Sequence, residues 1–245
     1  MTENTENKYE EYNGRLLNLI PRLQSEERQP LSIEGVMRGR LEGIACLETT
    51  VDTCDAIAIH PTGRRKLLRS SELLLNITSQ TKTSYGVLPI TEREYSHLLG
   101  YEFTEQEFRD FAKPREYPSA ICTNPLWKIV VSDHNLLEKY AQHVSKSSKE
   151  KSEPSKDIMG IYCAAKQKMP VLIPLALQDL AHKSYLAPSS FLDKDGAHVV
   201  VYTQAGSPQR STYEQPSLKN SADQSPMMRY IWSSGVRRIT ILTEV

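Results

Sequence analysis

The sequence predicts an α+β fold: a mainly antiparallel sheet with packed helices and a C-terminal β-hairpin. Three observations lead there. Strand-like runs recur at irregular intervals, without the regular alternation of a parallel strand–helix–strand protein. Two Thr-x-x-Glu capping boxes, Thr91 to Glu94 and Thr104 to Glu107, announce helices in mid-chain. The last two apolar runs, Met227 to Trp232 and Val236 to Val245, flank a Ser233-Ser234-Gly235 turn. At 245 residues the chain can bury a sizeable core. The expected organisation is a disordered tail at 1–8 and one α+β domain at 9–245.

Taken in order, Tyr12, Leu16, Leu17, Ile20 and Leu23 fall at helical spacing, with Pro21 ending or kinking the helix. The stretch Ser32 to Thr78 is the one the chain is organised around. Within it, Val36 to Thr49 reads as a strand bent near Gly43, and Asp55 to His60 as a second strand stopped by Pro61 and Gly63. Arg64, Arg65, Lys66 and Arg69 then read as a basic turn leading into a helix that carries Leu67, Leu68, Leu74 and Leu75.

Tyr85 to Ile90 suits a short strand, followed by helices that stop at Gly100 and before Pro114. Trp127 to Val131 is apolar and β-branched enough for a central strand. Ser132 or Asp133 caps a helix bearing Leu136, Leu137, Tyr140, Ala141 and Val144. Ser145 to Asp157 lacks large apolar residues and is expected to be a flexible insertion. Ile158 to Ala165, Met169 to Ile173 and His198 to Thr203 suit strands, while Leu175, Leu177, Leu180 and Ala181 suit a helix opened by Pro174. Gln204 to Pro226 is expected to be a long loop.

Thirty Lys and Arg balance thirty Asp and Glu, so no global field draws the chain to a polyanion and any such contact must be local. Residues 90–112 hold six acidic side chains against two basic ones, a net of −4, which argues against a DNA-reading helix pair. Cys46, Cys54, Cys122 and Cys163 form no CxxC pair and the histidines are scattered singly, so neither a metal nor another cofactor is expected. The N-terminus lacks the pattern of a secretory signal and no apolar run is long enough to span a bilayer. A cytoplasmic protein without a membrane partner is therefore expected.

The densest local charge is Arg64, Arg65, Lys66 and Arg69, extended by Arg38 and Arg40 if the strands are neighbours. Such a group predicts an exposed basic patch. The expected function is a non-enzymatic binding or assembly subunit, contacting DNA, RNA, another polyanion or an acidic protein surface within a complex. One alternative is a protein–protein adaptor that binds no nucleic acid. The other is a hydrolase or nuclease using His60, at a strand end beside a glycine turn, with Asp52 or Asp55.

Overall fold

The computed structural model describes residues 8–149, 158–179 and 183–203. They belong to the compact unit Met1–Pro208, and the unit Gln209–Val245 lies outside the described residues. The strands are β1 (Tyr9–Gly14), β2 (Val51–Ile59), β3 (Arg65–Leu68), β4 (Leu88–Pro89), β5 (Tyr101–Phe103), β6 (Met159–Ile161), β7 (Val171–Asp179), β8 (Ser184–Pro188) and β9 (Ala197–Tyr202). The helices are α1 (Leu16–Ser25), α2 (Ile33–Leu41), α3 (Glu72–Leu75), α4 (Glu92–His97), α5 (Glu105–Ala112), α6 (Pro118–Cys122), α7 (Pro125–Val130) and α8 (His134–Lys149).

One sheet runs β1-β9-β2-β7-β8-β6, with β3 and then β5 added beside β2, and β4 beside β7. The α+β class is as expected, but the sheet is mixed. Most pairings are antiparallel, whereas β2 with β9 and β6 with β8 are parallel. The register between β2 and β7 shifts between Asp52 and Ala56. Beyond that shift the neighbour on the other side of β2 changes from β9 at Asp52 to β3 from Ala56 to Ile59.

Strand alternation sends side chains to two cores. Ile57, Ile59, Leu67, Ile173 and Val200 face one core, where α2, α5, α6, α7 and α8 contribute Met37, Phe108, Ile121, Trp127 and Tyr140. Ala56, Ala58, Leu68, Leu172 and Val199 face the other, covered by α1, α3 and α4 through Leu16, Ile20, Leu74 and Tyr95. Both faces of β2 are buried, so no polar alternation marks it in the sequence.

Several elements depart from the sequence reading for identifiable reasons. Val36 to Thr49 is not a strand. Ile33, Val36, Met37 and Arg40 recur at helical spacing on a buried face of α2, and the Ser32 side chain accepts from Gly35 N at its start. A Cβ at Gly39 would run into Leu47 Cδ1, so the leucine would have to turn aside. Trp127 to Val130 is helical although β-branched, because Pro125 opens α7 and the Asn124 carboxamide accepts from Leu126 N at 2.9 Å. Leu175 and Leu177, read as helical, continue β7 past Pro174 and face the larger core. The helix capped by Asp133 runs on to Lys149 with Ser145 and Ser148 buried, so 145–149 are helix and not insertion.

The first described residues after the expected tail, Tyr9–Gly14, pair with β9, and α1 passes Pro21 without ending. Both capping boxes form as read. The 150–157 part of the insertion, the 204–226 loop and the C-terminal hairpin lie outside the described residues.

Gly100 lies where the chain enters β5 beside β3. A Cβ there would stand 2.7 Å from the Leu67 carbonyl oxygen and 2.6 Å from Leu68 Cδ2. The leucine methyl can rotate away, but the carbonyl belongs to a paired strand. Gly100→Ala is therefore expected to destabilise the fold by about 2 kcal/mol through overpacking. Urea unfolding with an unchanged midpoint would show that β5 yields instead.

Candidate functional site

Strand geometry disperses the expected basic patch. Arg65 and Leu67 share one face of β3, while Lys66 and Leu68 share the other. The Arg65 guanidinium is buried, donating to the carbonyls of Gly63 (3.0 Å) and Ala164 (3.2 Å) and lying 5.2 Å from the Phe108 ring. Lys66 Nζ is buried on the opposite side, donating to the carbonyls of Tyr95 (3.0 Å) and Leu98 (3.3 Å). Burial is the main reason its pKa falls.

The other four basic residues are engaged as well. Arg69 pairs with Glu34 at 2.9 Å, and Arg38 reaches Glu34 and Asp133. Exposed Arg64 pairs with Glu102 at 3.1 Å. Arg40 is buried and donates to the carbonyls of Leu47, Thr49 and Leu177 and to the Tyr140 and Ser184 hydroxyls. The structure thus keeps Arg64 and Lys66 close, sharing Glu102, and sends Arg38, Arg40 and Arg69 elsewhere.

His60 directly follows β2, beside Arg64 and Lys66. Its Nε2 lies 2.7 Å from Glu92 Oε2, its Nδ1 lies 2.7 Å from Thr62 Oγ1, and its ring is 4.9 Å from the Tyr95 ring. Burial first, and then the Glu102 charge, push the Tyr95 hydroxyl pKa up. Arg64 and Lys66 both pair with Glu102 while Glu92 pairs with His60, so the formal charges of the two cations and two carboxylates cancel.

Glu92 was not identifiable from sequence as the partner of His60, because it lies 32 residues away at the start of α4. The available signal was indirect: the capping box occupies Glu94 and leaves Glu92 free to point elsewhere.

The two aspartates expected beside His60 have other partners. Asp52 Oδ2 accepts from His198 N at 2.9 Å. Asp55 accepts from Ile33 N at 2.7 Å and Ser70 N at 2.8 Å, which fixes the start of α2 to the central strand. Burial pushes both carboxyls up, that of Asp55 to about 6.

A different feature stands out on the surface. Ser84 and Val87 exchange backbone hydrogen bonds of 3.0 and 3.2 Å around a two-residue turn, with Tyr85 at φ 53° and Gly86 at φ 79°. The turn is fastened from below: Asp193 Oδ2 accepts from Thr83 Oγ1 (2.9 Å) and Gly86 N (3.3 Å). A Cβ on Gly86 would stand 2.9 Å from the Ser190 carbonyl oxygen. Tyr85 itself is 97% exposed. A bulky residue held in the left-handed region costs about 1–3 kcal/mol, and here that strain serves no core contact.

No protein-family model matches this sequence, and no curated protein matches it. In fold the chain is similar to a solved structure described as "Accommodation of massive sequence variation in Nanoarchaeota by the C-type lectin fold", with a TM-score of 0.55 and 11% identity over 80% of this chain and 96% of that one.

Proposed function

We propose that this chain is a protein-binding module whose partner seats on the Tyr85 turn. The observation that carries the reading is a fully exposed tyrosine kept in a strained backbone conformation on a turn anchored through Asp193. An aromatic anchor presented rigidly loses little conformational freedom on binding, and tyrosine is among the residues enriched at interface hot spots. The likeness to a C-type lectin fold that accommodates sequence variation is compatible with a scaffold that carries binding residues on its surface. Ion pairing weighs toward the adaptor reading, because Arg38, Arg64 and Arg69 already meet carboxylates.

Tyr85→Gly separates binding from folding. Glycine adopts positive φ without a steric penalty, so the variant is expected to be more stable by about 1 kcal/mol in urea unfolding. Its affinity for a partner captured by the parent chain is expected to fall at least about tenfold, the loss of an aromatic hot spot. Equal capture by both chains, quantified against the purified partner, would move the binding surface elsewhere. Polyanion contact is the second reading. It predicts salt-sensitive retention on heparin that weakens when Arg64 is replaced by alanine.

A further inference from the structure

We propose that Thr62 is a reactive hydroxyl, activated by His60 and Glu92, that takes acyl groups from small carboxylic esters and passes them to water. This activity would lie at the β2–β3 turn and is independent of the binding reading at Tyr85.

The neighbours of His60 determine where its proton sits. The Thr62 backbone N–H, 3.2 Å from Nδ1, can only donate, so Nδ1 is an acceptor and the proton is on Nε2, facing the Glu92 carboxylate at 2.7 Å. Arg64 Nε, 3.3 Å from Thr62 Oγ1, can also only donate, which leaves the Thr62 hydroxyl hydrogen to point at Nδ1 at 2.7 Å. The result is a one-way relay: guanidinium to hydroxyl, hydroxyl to imidazole, imidazole to carboxylate. Hydroxyl, imidazole and carboxylate follow one another as in serine acyl-transfer sites, with the two ring nitrogens exchanged: here Nδ1 faces the hydroxyl and Nε2 the carboxylate.

Closing the turn does not require these side-chain bonds. His60 N donates to the Arg64 carbonyl and Gly63 N to the His60 carbonyl, both at 2.9 Å, and these close it through the backbone alone. Glu92 comes from a separate helix. The His60 ring is buried and held, whereas Thr62 is exposed.

In the first step Thr62 Oγ1 bonds to the ester carbonyl carbon as its proton moves to His60 Nδ1, and the oxyanion forms beside the Arg64 guanidinium. The carbon–alkoxide bond then breaks, and Nδ1 returns the proton to the departing alcohol. Water next gives a proton to Nδ1 and attacks the acyl-threonine, and that proton returns to Oγ1 as the acid leaves. Glu92 stays ionised throughout as a positioning residue. Two recesses, of about 370 and 150 Å³, lie away from this turn beside Ser132 and Arg40. Thr62 is exposed, so a substrate there is held at the surface, which suits a small activated ester.

The test uses the full chain and p-nitrophenyl acetate, reading nitrophenolate release together with peptide mapping of the acetylated residue. The parent is expected to carry acetyl on Thr62. Thr62→Val is expected to lose about 10³-fold in turnover, while Thr62→Ser retains it. Glu92→Gln is expected to lower kcat about 10²-fold with KM unchanged, and Glu92→Asp to recover part of the loss. Acetyl found only on other residues of the parent would overturn the proposal, whatever the variants do. So would equal turnover by the parent and a Thr62→Val chain with the parent's circular dichroism.

Discussion

Replacing Arg40 by alanine is expected to remove about 3–4 kcal/mol of stability, a large share of what holds an ordinary domain folded. The guanidinium joins four separate segments: the turn carrying Leu47 and Thr49, β7 at Leu177, α8 at Tyr140 and β8 at Ser184. Two effects oppose each other. Truncation relieves the desolvation of a cation whose partners among the described residues are all neutral groups, and that lowers the cost. It also strips a charged donor from three main-chain carbonyls and opens a cavity where the aliphatic stem lay, at about 1–3 kcal/mol for each acceptor left dry. The second effect dominates because the acceptors belong to a rigid frame that cannot close over the gap. Arg40→Met separates the two, since it keeps most of the volume and should cost about 2 kcal/mol. Urea unfolding of both variants checks the order. An alanine variant as stable as the parent would mean that solvent reaches these carbonyls.

Asp55 is expected to give the protein an unusual dependence on pH. Its carboxyl is raised to about 6 from the ordinary 3.8, chiefly by burial, against the backbone donors Ile33 and Ser70 and the Arg69 charge. Between about pH 4 and pH 6 the folded chain holds a proton that the unfolded chain has released. The stabilising contribution is thus fully present below pH 4, declines as pH rises to 6, and stays lost above that. The separation of the two pKa values corresponds to about 3 kcal/mol.

Other carboxylates act with the opposite sign. Backbone donors hold Asp133, Glu94 and Glu107 below their ordinary values, so their contributions are lost as pH falls. The Asp55 effect therefore appears in the difference between parent and Asp55→Ala, which should shrink by about 3 kcal/mol from pH 4 to pH 7. Carbon-detected titration of the Asp55 carboxyl gives an independent reading, and a midpoint below 4 would refute it.

The α+β class and the starts of α4, α5 and α8 were legible because they depend on short-range rules. A threonine hydroxyl and a glutamate three residues later satisfy each other's backbone within one turn, and both boxes form as the sequence indicates. Asp133 likewise caps α8 from one residue outside it. Where both faces of an element are buried, local pattern loses its meaning. The strand β7 and the helix α7 are both rich in Leu, Ile and Val, and what separates them is Pro125 with its Asn124 cap on one side and pairing to β2 on the other.

The site was the least legible part. Composition placed four cations within six residues, but the two-residue period of β3 turned Arg65 and Lys66 into opposite cores. Whether a cation is available to a ligand depends on its carboxylate and carbonyl partners, and those lie far along the chain at Glu34, Glu102 and Ala164. His60 was marked by its place before a proline–glycine turn, whereas its pairing with Glu92 and the strain at Tyr85 exist only once α4 and the Asp193 loop are packed. By itself the sequence determined the elements that local hydrogen bonding and a single amphipathic face can specify. The tertiary structure decided which charges are buried and which face each other, because those pairings follow from contacts between residues far apart in the chain.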